Sequence, residues 1–195
     1  VRVVTTEGSL VRRVQIASRE TTLTLPSPGK PLTVIFDEGN TILKALHFRR
    51  PPGEWVYQAQ HAEHAIDRIL AVQELVKDTT AGRDVGVLAS IAGKDPFYAV
   101  RREAVRGLAD ARVATAAGTE AALVTATADK NAAVRSAAAS GLARYRSAAV
   151  RSALNQVGQI ILEDHLKHCM VRAVKDGDFE DAMSDLKLSL DRFIK

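Results

Sequence analysis

Val100-Arg101-x-x-Ala104-x-x-Gly107-Leu108-Ala109 returns as Val134-Arg135-x-x-Ala138-x-x-Gly141-Leu142-Ala143, every position displaced by 34 residues. Within each copy the apolar and small residues fall three and four apart, the spacing that lines one face of an α-helix. Asp95 and Asp129 precede the two copies at the same offset, where each carboxylate is expected to cap the following helix by accepting a backbone N–H. A helical hairpin that recurs at this interval predicts a stacked array, because one hairpin alone leaves its apolar face uncovered. Alanine fills 18 of the 45 positions from Ala109 to Ala153. Close approach of backbones, rather than bulky side chains, is expected to hold that part together.

Outward from the repeat, helical spacing reaches back to Glu54, with Ile66, Ile69, Leu70, Gln73 and Val76 on one stripe. Thr79 to Asp84 reads as a polar break. Further helices are expected at Val85 to Ala92, Pro96 to Ala109, Glu120 to Ala128, from Asn131 into the 140s, through a long stretch to about Val174, and at Glu180 to Ile194. Residues 131–174 contain no proline and two glycines, Gly141 and Gly158, so one helix is able to run through, at about 1 kcal/mol per glycine. Before Arg50-Pro51-Pro52-Gly53 the pattern is different. Leu10 to Ala17, Thr21 to Leu25, Leu32 to Phe36 and Ile42 to Phe48 alternate apolar with polar residues and are separated by Gly, Pro and Asn turns, which predicts strands. The expected class is α+β, with an antiparallel β-sandwich portion over 1–50, helical repeats over 54–146 and a helical pair over 147–195. The start at Val1, inside an expected strand, reads as a fragment or a processed product.

The chain of 195 residues carries a formal charge of +4, too mild to identify a nucleic-acid binder. By segment, residues 1–50 carry +4, 51–110 carry −2, 111–146 carry +3 and 147–195 carry −1. No segment is a basic patch of the kind a phosphate backbone needs, so DNA is not the expected partner. No stretch approaches the roughly 18 apolar residues of a membrane span. Cys169 is the sole cysteine, which excludes an internal disulfide and is compatible with the cytoplasm, the expected location.

Phe36-Asp37-x-Gly39-x-x-x-Leu43-Lys44-x-Leu46, Glu54-Trp55-x-Tyr57-Gln58, Asp67-Arg68-Ile69 and Asp95-Pro96-Phe97-x-x-Val100-Arg101-x-Glu103-Ala104 resemble the C-terminal part of zinc aminopeptidases of the aminopeptidase N type. The resemblance covers about residues 1–145. It implies a small β-sandwich followed by HEAT-like helical repeats that cap a catalytic cavity. That family's His-Glu-x-x-His and Gly-Ala-Met-Glu-Asn motifs are absent from this sequence, so nothing here would activate a water on zinc. The chain is expected to be no enzyme. Its role would be a scaffold or interaction fragment, or the non-catalytic part of a larger metallo-aminopeptidase.

The last 48 residues carry Ala149-Val150-Arg151-Ser152-Ala153-Leu154-Asn155-Gln156-Val157, Leu162-Glu163-Asp164-His165-Leu166-Lys167-His168-Cys169 and Gly177-Asp178-Phe179-Glu180. They are similar to the second half of the small helical repressors that sense copper(I), other metals or formaldehyde. The His-x-x-x-Cys pair typical of the copper branch is here His165 and Cys169. On an α-helix i and i+4 share a face, so imidazole and thiolate can converge on one soft ion. The resemblance implies a third, cysteine ligand from a partner subunit, about seven turns upstream. Counting back at about 3.6 residues per turn reaches Ser140, whose hydroxyl suits copper(I) poorly. It also implies a first, DNA-facing helix, whose place is taken here by the alanine-rich repeat. A copper-responsive regulator is the alternative function, with homo-oligomerisation through residues 150–194. A natural fusion, an engineered join and a misassembled frame would each produce this pairing of halves.

Other chemistry-bearing residues are read more plainly. His61 and His64, with Glu63 between them, lack a third ligand and read as surface histidines. Glu163 and Asp164 are able to orient an imidazole, but acids on a helix face are usually solvated. Arg101, Arg102, Arg106, Arg135, Arg144 and Arg146 are expected on solvated faces. Trp55 and Tyr57 read as a packing wedge at the domain junction. Phe97 and Tyr98 read as a plug in the helical hairpin.

Overall fold

The computed structural model describes residues 1–77, 85–110, 116–143, 145, 148–176 and 178–194. The expected polar break at 79–84 lies outside them, as do Arg144 and Arg146. Strands β1 (Arg2–Thr5), β2 (Gly8–Val11) and β3 (Pro31–Ile35) form one antiparallel sheet in the order β2-β1-β3. Val3 faces Leu10 on one side and Val34 on the other, with a bulge between Val4 and Thr5 against β3. The β1–β2 turn is closed by Thr5, whose Oγ1 donates to Gly8 O at 3.0 Å and accepts Glu7 N–H at 3.2 Å. Gly8 sits there at φ +140°, a conformation that an L side chain resists.

The expected β-sandwich is therefore incorrect. The described residues are mainly helical, with one three-stranded sheet among them. Val3, Thr5, Thr33 and Ile35 are buried, and β3 packs on the first helix. Residues 21–25 and 42–48 alternate in sequence but form no strand pairing among the described residues. Ile42, Leu43 and Leu46 are exposed, because alternation makes a strand only where an edge offers hydrogen bonds and a face to cover.

The helices are α1 (Pro52–His61), α2 (Ala65–Lys77), α3 (Val85–Lys94), α4 (Tyr98–Leu108), α5 (Thr119–Ala126), α6 (Ala132–Leu142), α7 (Ala148–His165), α8 (Val171–Asp176) and α9 (Phe179–Ile194). A π-helical turn, Leu166–Met170, joins α7 to α8. The single helix considered for 131–174 does not form, since α6 ends at Leu142 and α7 starts at Ala148. Pairs α1/α2, α3/α4 and α5/α6 are antiparallel hairpins that stack, with α2 on α4 and α4 on α6. Val100, Ala104 and Leu108 of α4 and Val134, Ala138 and Leu142 of α6 are fully buried, an i, i+4, i+8 stripe in each copy. One apolar core runs from Ala59 to Ala153. Glycine sets its spacing. A Cβ at Gly107 would collide with the Val76 side chain, and one at Gly141 would lie 2.6 Å from Ala109 Cβ. Helices α4 and α6 therefore each lie against the preceding repeat.

Candidate functional site

The turns of the hairpins carry a ladder of buried charge. Arg68 of α2 holds the Asp95 carboxylate with both edges of its fork, Nε to Oδ2 at 2.7 Å and Nη2 to Oδ1 at 3.1 Å. Its Nη1 donates to Ala62 O and Glu63 O at 2.8 and 2.9 Å. One repeat later Arg101 holds Asp129 in the same way, at 2.7 and 2.9 Å, while its Nη1 donates to Asp95 O and Pro96 O. Each arginine thus closes its own turn and reaches the aspartate of the next turn, so neighbouring repeats are tied by bidentate charge-assisted bonds. Arg135 repeats the first half only. Its Nη1 donates to Asp129 O and Lys130 O at 2.9 and 3.2 Å.

The expectation that Arg101 lies on a solvated face is overturned, since it is 3% exposed. Arg106 does belong to the surface set, whereas Arg102 is half-buried; both bond Glu103. The aspartates act one step before the helix starts. Asp95 Oδ1 accepts Phe97 N–H at 2.8 Å and Asp129 Oδ1 accepts Asn131 N–H at 2.7 Å. The residue capping α6 is Asn131, which accepts Ala133 N–H. Burial pushes the Asp129 carboxyl up. The bonds from Arg101 and Asn131 and the charges of Arg101 and Lys130 outweigh it, so the group titrates below its ordinary value. The same pairing, against desolvation, holds Arg101 above its own.

A second polar cluster joins sheet to helices around a cavity of about 680 Å³. Arg50 lies 3.4 Å above the Trp55 ring and 4.8 Å from the Phe48 ring centre, a cation–π sandwich. Its Nη1 donates to Thr33 Oγ1 and Val34 O, and its Nη2 donates to Gln58 Oε1 at 2.7 Å. Gln58 Nε2 in turn donates to Asp67 O, and Asp67 Oδ2 accepts Gly39 N–H at 2.9 Å. Burial pushes Arg50 down to about 10 and holds the Asp67 carboxyl above its ordinary value. Trp55, on α1, is partly buried against the core and carries the Arg50 guanidinium on its ring. Tyr57 instead stacks on His61, with ring centres 4.3 Å apart. Phe97 and Tyr98 touch each other but are 42% and 38% exposed, so they do not plug the hairpin.

His165 is the last residue of α7 and Cys169 lies in the π-helical turn. Their side chains lie outside the described set, while the backbone keeps them four residues apart on continuous helix. Glu163 and Asp164 are directed along the exposed surface, to Lys167 at 3.4 Å and His168 at 3.2 Å. His61 is exposed, with Nδ1 3.0 Å from Tyr57 O, and His64 is exposed beside Gly39. Among the described residues no three His, Cys, Asp or Glu side chains are grouped to hold a metal. No described helix is long and apolar enough to cross a membrane.

These features define a helical-repeat protein with a distinct C-terminal segment. Residues 85–165 match the family model of HEAT repeats, and residues 145–192 match that of the metal-sensitive transcriptional repressor. The copper-sensing transcriptional repressor CsoR of Bacillus subtilis (strain 168) is 43% identical over 47 residues, which are 24% of this chain and 46% of that protein. The chain thus spans about half the length of that relative. No solved structure matches. The aminopeptidase-like reading of residues 1–145 finds no support in these matches.

Sequence reasoning missed the ladder. Its signal was nevertheless present. Arg68, Ala71 and Leu75 precede Arg101, Ala104 and Leu108 by 33 residues, and these precede Arg135, Ala138 and Leu142 by 34. Arg50 and Asp67 gave no comparable pattern, because their partners are spread over β3, the loop after it and α1.

Proposed function

We propose that the chain is a non-catalytic binding protein whose HEAT-type array engages other proteins and whose C-terminal helices make it responsive to a soft metal ion, copper(I) in type. The observation that carries this reading is the double membership of α7. Residues 145–165 fall within both family matches. Val150 and Ala153 of this helix belong to the buried core, the helix packs on α5 and α6, and it ends at His165, one residue before the turn that contains Cys169. A π-helical turn inside a helix is rare and frequently marks a functional position. An event at that turn is therefore covalently continuous with a helix of the array. His165 and Cys169 supply imidazole and thiolate, the donor types that suit copper(I). Ser140, the expected third position, is exposed on α6 and carries a hydroxyl, so the pair accounts for capture of the ion and not for a closed three-donor site.

Titration of the purified chain with copper(I) against a competing chelator is expected to show one ion per chain, with affinity falling at least about tenfold in Cys169→Ala. Unchanged affinity in that variant overturns the metal-responsive part. Turnover of an aminoacyl-anilide that depends on added zinc and is lost on chelation overturns the non-catalytic part.

A further inference from the structure

We propose that Arg135 is the docking point for an α-helix of another protein that carries an aspartate in its N-terminal turn. The inference rests on the interaction-array reading above and names the partner chemistry for one end of that array. Two complete rungs on the same chain define what the third lacks. Arg68 and Arg101 each use Nη1 on two carbonyls of their own turn and present Nε and Nη2 to a carboxylate of the next. Arg135 makes the two carbonyl bonds, and among the described residues no carboxylate meets its remaining edge.

The chain's own following helix does not fill the place. The stacked hairpins present an aspartate through a turn followed by a second helix, as Asp129 does before α6. After α6 the chain continues as α7 for 18 residues without such a turn. The carboxylates near the end of α7 point elsewhere, with Glu163 67% exposed toward Lys167 and Asp164 75% exposed toward His168. A second copy stacked head to tail does not fill it either. The turn before α2 has Ala62 where the later turns have Asp95 and Asp129, as the shared carbonyl bonds establish. The occupant that fits is a foreign helix with an acidic first turn, and the bidentate fork of arginine selects a planar carboxylate there.

The test uses the complete chain and a fluorescently labelled synthetic peptide with the sequence of residues 128–143, which contains one such turn and its helix. By anisotropy, this peptide is expected to bind at least about tenfold more tightly than its Asp129→Asn counterpart. That ratio is expected to fall to about one against the Arg135→Gln chain, and most of it to be lost against Arg135→Lys, which keeps the charge without the fork. Melting curves of both chain variants establish that the array is folded. Equal binding of the two peptides, or a ratio that survives Arg135→Gln, overturns the assignment while leaving the array a protein-binding surface. Binding of neither peptide overturns both the assignment and the interaction reading. Self-association of the chain that disappears in Arg135→Gln overturns the choice of a foreign partner.

Discussion

Replacing Arg101 with alanine is expected to destabilise the chain by roughly 3 to 5 kcal/mol, the cost of leaving a buried carboxylate without its partner. Urea unfolding followed by far-UV circular dichroism measures it, and at this chain length Tm should fall by about 10 °C or more. Arg101 and Asp129 have side chains 4% and 10% exposed, and the pair is bidentate. The variant also strips Asp95 O and Pro96 O of a donor, so the penalty includes two carbonyls as well as the ion. A paired replacement, Arg101→Met with Asp129→Leu, should cost much less than either half alone, because an apolar pair removes both desolvated charges together. The effect has a definite pH window. The folded Asp129 carboxyl titrates below its ordinary value, whereas an unfolded aspartate titrates at about 3.9. Its contribution is present above about pH 4 and is lost as pH falls through the lowered folded value. The stability gap between the native chain and Asp129→Asn should therefore shrink below about pH 4. A loss under about 1 kcal/mol for Arg101→Ala would mean that the rungs are ornaments on an array held by packing alone.

The same ladder explains what could and could not be read from the residues. The offset of 34 locates α4 and α6 because Val, Ala and Leu at helical spacing bury one face wherever the helix lands. It does not reveal that Arg101 belongs to Asp129. The two are 28 residues apart and meet only because the repeats stack, so a helix-by-helix reading assigns Arg101 to solvent. The sandwich expectation failed from the opposite direction. Ile42 to Phe48 alternates as a strand should, yet Leu43 is fully exposed, since pairing depends on an edge that local sequence does not specify. Turn chemistry fared between the two. Asp37 organises the loop after β3, accepting from Thr41, Ile42 and Lys44, and no local spacing signals that role. Lys44 first and Thr41 next hold its carboxyl below the ordinary range. The His165–Cys169 spacing was legible as a pattern, whereas the π-helical turn that contains Cys169 was not, because an extra residue in a helical turn leaves no periodic mark over so short a span.

Leu123→Ala is expected to cost about 3 to 5 kcal/mol, near the upper end for loss of a buried leucine, and the reason lies in the alanine content around it. Leu123 of α5 is fully buried. Its Cδ1 lies 3.3 Å from where a Cβ on Gly141 would sit, and that position is also 2.6 Å from Ala109 Cβ and 3.3 Å from Ala109 Cα. Elsewhere in a core, neighbouring side chains rotate or slide into a new void and recover part of the lost contact. Here the groups placed beside it are Gly141, which has no side chain, and Ala109, which has one methyl group, so α4 and α6 are already separated by little more than backbone and one methyl group. They have neither the reach nor the room to close over the gap. The cost should therefore grow with the cavity that persists, at about 24 cal/mol per Å³, whereas Leu123→Met, which conserves volume, should cost below about 1.5 kcal/mol. Urea midpoints at constant m-value separate the two variants from any change in the unfolded state. If Leu123→Ala loses under about 2 kcal/mol, the helices have moved together to fill the space, and close backbone contact is not what fixes their separation.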